Sequence, residues 1–237
     1  MKKKLLLLTI AVLCFATFAS ADTFTTYATR VAQNPSDIFD WSTIAPPGTE
    51  VTTPQFVPSF GGTNAALVGN IDGSDFFTMQ EGFTWIGNFD YGESLIWTGN
   101  SGLGFGGIGP MAVEFASGVG SVGFAISADF YGPFTATLTA LDAGLNPLFT
   151  MTGNGVSNGN EDGSALFMGL GDLSGSNIAA IEFTIASSVD PNANNDFAID
   201  DLSIGYTATA TPEPSSLVLL GSGLLGMAGV LRRKLAR

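Results

Sequence analysis

The chain has 237 residues, 45% of them hydrophobic and only 12% charged, with a formal net charge of −13, no histidine and one cysteine. Its basic residues sit at the two ends: between Asp22 and Thr211 Arg30 is the one base against twenty acids, which leaves that segment at −19. Such a surface repels nucleic acid and anionic lipid. A body without histidine, cysteine or lysine also excludes Ser-His-Asp and Cys-His nucleophiles, Schiff-base chemistry, a phosphate-loop lysine and histidine-built zinc.

At the N-terminus Lys2, Lys3 and Lys4 precede an apolar run from Leu5 to Phe18 and then Ala19-Ser20-Ala21, the order of a secretory signal. Residues 1–21 are therefore expected to form a cleaved signal helix, with the mature chain starting near Asp22. Cys14 lies in that run behind Leu13, where lipid attachment would need a small residue, so the mature chain is expected to hold no thiol.

Residues 22–211 are the size of one β-sandwich domain. Up to Pro110 the pattern is irregular and rich in Gly and Pro, with strands expected at Gln55 to Val57, Phe76 to Met79 and Leu95 to Thr98. Beyond it the alternation is clean: Val122, Phe124 and Ile126; Ala136, Leu138 and Ala140; Ile181, Phe183 and Ile185 each mark a half-buried strand. Turn signals at Tyr131-Gly132-Pro133, Leu145-Asn146-Pro147, Asn158-Gly159 and Asp190-Pro191 separate them. No amphipathic helical segment of any length is present. The expectation is an all-β, antiparallel, jelly-roll-like sandwich.

Phe197 and Ile199 share one parity and Leu202 and Ile204 the other. A β-bulge at Asp200-Asp201 would reconcile the two halves and re-aim one carboxylate. The segment from Asp190 to Asp201 places oxygen side chains at calcium-loop spacing: Asp190, Asn192 and Asn194 at positions 1, 3 and 5, with Asp196 following and Asp201 at position 12. Asn195 takes the turn position usually held by Gly. Asp stands where a bidentate Glu is usual, and strands rather than helices flank the loop. An Asn/Asp-rich turn between two strands is the alternative. Asn158 to Gly163 and Asp72 to Asp75 read as a hairpin loop and a turn.

With carboxylates, hydroxyls and aromatics as the remaining tools, a glycosidase is the enzyme class still open, through a pair drawn from Glu81, Glu93, Glu114, Glu161 and Glu182. Nothing in their spacing selects a pair, so a non-catalytic role is expected. Trp85 and Tyr91, set among glycines and turn residues, are the candidate platforms for stacking on sugar rings. Core packing is the plainer role for either.

At the C-terminus Thr211-Pro212-Glu213-Pro214 precedes an apolar stretch from Ser215 to Leu231 and the bases Arg232, Arg233, Lys234 and Arg237. At roughly 1.5 Å per residue the stretch is just long enough to cross a bilayer as a single transmembrane helix, with its basic end in the cytoplasm. These three ordered elements, from Pro212 to Arg237, resemble the tail of PEP-CTERM proteins. The resemblance implies an exosortase as processing partner, cleavage near the motif Pro212, Glu213 and Pro214, transient membrane anchoring, and delivery to a cell surface or exopolysaccharide matrix. The residues alone also fit a permanent single-span anchor.

Phe197-Ala198-Ile199-Asp200-Asp201-Leu202 resembles the closing strand of secreted jelly-roll modules, including carbohydrate-binding ones. That resemblance implies a structural Ca²⁺ on an Asp near this position. Taken together, the expectation is an exported surface or matrix protein that binds exopolysaccharide. A carboxylate-dependent polysaccharide hydrolase and a purely structural or adhesive protein are the alternatives.

Overall fold

A computed structural model of the protein describes residues 23–99, 109–187 and 189–207. The expected signal helix, the expected transmembrane helix and the motif Pro212, Glu213 and Pro214 lie outside the described residues. Within them, two antiparallel sheets face one another across a common core.

The six-stranded sheet is built from β4 (Gln55–Pro58), β5 (Ala65–Asn70), β8 (Met111–Val119), β10 (Gly132–Leu141), β11 (Pro147–Ser157) and β13 (Ile178–Ser187), in the order β11-β10-β13-β8-β5-β4. Strand β10 shows why it reads so clearly in sequence. Phe134, Ala136, Leu138 and Ala140 are buried while the threonines between them face outward, so one side packs and the other is wet.

The nine-stranded sheet runs β1 (Phe24–Tyr27), β12 (Leu166–Asp172), β9 (Ser121–Ala128), β14 (Phe197–Ile199), β7 (Ser94–Trp97), β6 (Phe76–Gln80) and β3 (Thr49–Val51). Two further strands, β2 (Asp37–Phe39) and β15 (Leu202–Gly205), join it beside β9. Here β9 departs from the half-buried strand expected: every residue but Ala125 is buried. Loops and a one-turn helix, α1 (Arg30–Gln33), cover its outer side. That helix is capped by Thr29 and docked through Gln33, which donates to Ser121 and to the Ser203 carbonyl.

The bulge at Asp200-Asp201 is present. Phe197, Ala198 and Ile199 pair with Ala128, Ser127 and Ile126 of β9, and Ser203, Ile204 and Gly205 with Gly123, Val122 and Ser121. Three residues, 200 to 202, therefore face two. This insertion keeps Phe197, Ile199, Leu202 and Ile204 all in the core despite their opposite parity.

The expected hairpin at Asn158 to Gly163 is absent. Strands β11 and β12 belong to different sheets, so this segment crosses from one layer to the other. Its destination is a smaller apolar cluster on the outer side of the nine-stranded sheet, formed by Phe77, Met79, Trp85, Phe89, Leu95 and Ala198.

Candidate functional site

The loop from Glu81 to Glu93 lies over that second cluster. Its ends are tied by the Glu81 amide to the Glu93 carbonyl (2.9 Å) and the Gly92 amide to the Glu81 carbonyl (3.0 Å). The Glu81 carboxylate, fully buried, accepts from the amides of Gly87 (2.7 Å) and Phe89 (3.2 Å), and burial pushes its pKa up against those bonds. Asn88 stitches this loop to the crossover: it donates to Asn158 (2.9 Å) and Ser164 (2.7 Å) and accepts from the Asn158 amide (2.8 Å).

Between these loops, α1 and the bulge runs a groove of about 690 Å³, bordered by Arg30, Phe89, Asp90, Glu93, Ser164, Phe167 and Asp200. It continues past Arg30, Glu93 and Asp200 into a polar recess of about 270 Å³ that adds Asp40, Ser42 and Asp201. The floor is aromatic. The half-buried Phe167 ring lies across Gly123 of β9 and Gly169 of its own strand, so close that a methyl on either glycine would meet it at 2.7 Å.

Asp200 organises the bulge. Its Oδ1 takes the Ala125 amide (2.6 Å) that the interrupted ladder leaves unpaired, and its Oδ2 takes Arg30 Nη2 (2.6 Å). Arg30 also reaches the Asp201 carbonyl (2.7 Å), Trp41 Nε1 donates to the Asp200 carbonyl (2.5 Å), and the Trp41 amide donates to Asp201 (3.2 Å). Burial lifts the Asp200 pKa well above the usual carboxylate range in spite of Arg30. Burial likewise lifts Asp201, to about 6, and raises Glu93. The body's single cation is thus held among Asp200, Asp201 and Glu93, where it offsets part of their repulsion.

The calcium-loop residues do not converge. Asp190 accepts from the Asn192 amide (2.9 Å), Asn194 from the Ser187 amide (2.9 Å), and Asp196 from Trp97 Nε1 (2.8 Å). Asp201 stands beyond the far end of β14, five residues from Asp196, up to about 16 Å away at about 3.3 Å per extended residue. In a helix-flanked loop the twelfth residue folds back toward the first; a strand carries it away. Asn195 does adopt the left-handed turn, at φ 62°, and clamps the Ile185 amide and the Gly109 carbonyl. Among the described residues no group of three or more His, Cys, Asp or Glu side chains is gathered tightly enough to hold a metal ion.

Trp85 is a core residue, 5% exposed and edge-on to Trp97 at 5.8 Å, whereas Tyr91 is 74% exposed and lies against Gly82. The expected stacking pair therefore does not present two free rings. The flat aromatic at the groove is Phe167, which the alternation pattern did not single out because its strand is interrupted by Gly169 and Gly171. Of the five glutamates, Glu81 is buried, Glu93 lines the groove, Glu161 lies on the crossover, and Glu114 and Glu182 sit on the outer face of the six-stranded sheet.

Residues 210–234 match the model of the PEP-CTERM protein-sorting motif. The chain thus carries the sorting signal of exported proteins that are held at a membrane before an exosortase processes them. The matched segment begins three residues past Thr207, the last described residue. Among the described residues no helix is long and apolar enough to cross a membrane.

A DUF4465 family protein from Bacteroides caccae is similar at a TM-score of 0.42 and 12% identity, over 70% of this chain and 98% of that one. The enzymatically active domain of bacteriophage CBA120 tailspike protein 4 is similar at a TM-score of 0.25 and 12% identity, over 67% of this chain and 19% of that one. No curated protein matches the sequence.

Proposed function

We propose that the processed body is a non-catalytic binding module of a cell surface or extracellular matrix, and that its groove takes a neutral polysaccharide. The observation that carries this reading is the groove's make-up: an aromatic floor, Phe167, ringed by Arg30, Asp90, Glu93 and Ser164. Sugar rings pair an apolar face, suited to an aromatic plane, with hydroxyls that carboxylates and a guanidinium can bond. The acidic rim disfavours anionic glycans. Shallow recognition of this kind is weak per site and gains strength over many copies and repeated sugars, as a matrix provides.

Affinity electrophoresis against a panel of neutral and acidic soluble polysaccharides tests it. The expected result is retardation by one or more neutral polymers that is lost in Phe167→Ala and kept in Tyr91→Ala, both checked for intact unfolding profiles. Silence across the panel with a folded protein would favour a purely structural role. Cleavage of a polymer, abolished by Glu93→Gln, would favour a hydrolase instead.

A further inference from the structure

The free edges of the two sheets are unequal. Strands β1, β2, β3 and β4 are three or four residues long, and β4 ends in Pro58. Short, interrupted edges of this kind are a common protection against unwanted pairing. Strand β11 is different: eleven residues, Pro147–Ser157, without one charge in a body of −19. Among the described residues β10 is its only ladder partner.

We propose that β11 is a homodimerisation edge, pairing antiparallel with the same strand of a second copy about a two-fold axis at Thr152. The sequence of the strand is self-complementary in that register. Thr152 meets Thr152 and Thr150 meets Asn154, the kinds of pair already bonded between β10 and β11, where Thr139 meets Thr150 at 3.1 Å and Thr135 meets Asn154 at 2.9 Å. Val156, 59% exposed, extends this face at one end, whereas at the other end a bulge at Leu148 turns that side chain onto the core. On the other face Gly153 and Gly155 lie under Leu166 and Phe134 of their own copy and Phe149 stacks on Phe24, so the pairing rests on the backbone and on the exposed Thr and Asn face. Pro147, which has no N–H, ends the ladder.

A two-fold contact requires such matching because the same patch serves both partners. The occupant is a second copy rather than a basic peptide because the strand has no charge to attract one. For two bodies of −19, rising salt screens repulsion without weakening backbone bonds, so dimerisation strengthens with ionic strength; a charge-driven partner would show the opposite trend. This inference is independent of any glycan.

Sedimentation of the processed chain across protein and salt concentration provides the test, together with Thr152→Cys, which introduces the sole thiol of the mature chain. The expected result is a monomer–dimer equilibrium that shifts toward dimer with salt, and rapid disulfide-linked dimer formation by Thr152→Cys under mild oxidation. Thr137→Cys, one strand inward, should remain monomeric. Thr152→Glu, on the exposed face, should lose the dimer at an unchanged unfolding midpoint. A chain that stays monomeric throughout, or a Thr152→Cys variant that cross-links no faster than Thr137→Cys, overturns the proposal.

Discussion

Between the two sheets Phe124, Phe183 and Phe197 meet with ring centroids 5.1 and 5.8 Å apart, and on the far side of the nine-stranded sheet Phe77, Trp97 and Trp85 meet at 5.4 and 5.8 Å. The rings are similar, but their supports differ. The inner cluster is roofed on both sides by strands whose backbones bond one another. The outer one is roofed by a thirteen-residue loop that Glu81 holds from beneath and Asn88 ties to the crossover. Alternating residues suffice to close a core between sheets, whereas a core closed by a loop needs buried polar groups to satisfy the loop's own amides. Such groups also leave a groove with chemistry in it.

Substitutions that empty the two clusters should separate them most sharply. Phe183→Ala should cost about 3–5 kcal/mol and lower the global unfolding midpoint in denaturant. Phe89→Ala should cost less, because a loop relaxes into the space more readily, and should speed amide exchange of Gly87 and Phe89 while β9 stays protected. Equal losses would mean that the two clusters unfold as one unit.

Arg30→Ala tests the seam between the regions. It strips the partner from the buried Asp200 carboxylate and should cost about 2–3 kcal/mol, below the range for a fully buried pair because Arg30 is a third exposed. A substitution within 0.5 kcal/mol of wild type would show that protonated Asp200 needs no cation.

Acid should affect the two carboxylate environments in opposite directions. Asp201, at about 6 when folded and 3.8 as the reference, holds its proton more tightly in the native state. Asp129, lifted to about 6 by burial and the nearby Asp196 charge, and Asp200, Glu81 and Glu93 shift the same way. Their penalty is present above pH 6 and relieved as pH falls toward 4, so the melting midpoint should climb between pH 7.5 and about 5.

Asp37 is the reverse. Burial opposes its charge, but bonds from Thr63, Ser59, Gly61 and Ile38 win and hold its pKa well below the usual range. Its stabilisation is present above its unfolded pKa and lost as pH falls below it, so the midpoint should drop again below about pH 4. Asp201→Asn should make the climb shallower and leave the drop; a midpoint highest at pH 7.5 would contradict this assignment.

The smallest effect is expected from calcium. With Asp190, Asn194 and Asp196 engaged in turn and capping bonds and Asp201 beyond β14, added Ca²⁺ should move the midpoint no more than its ionic strength does. A calcium-specific rise abolished by Asp190→Ala would restore the loop as a metal site.

The chain's own residues determined the class of fold wherever one face of a strand packs and the other is wet. The alternation in β10 and β13 is visible because their outer faces carry Thr, Glu and Ala, and the parity change at Asp200-Asp201 could be read as a bulge because hydrophobic residues tolerate no other solution. The ordered motif at the C-terminus was legible for a different reason: a sorting signal is read as linear sequence. Tertiary structure decided the rest. It buried both faces of β9, drew Trp85 into a second core, sent the crossover between sheets where a hairpin was expected, and brought Arg30 170 residues along the chain to Asp200. Those outcomes rest on which loop covers which face, and a spacing pattern carries no information about a partner so far away in sequence.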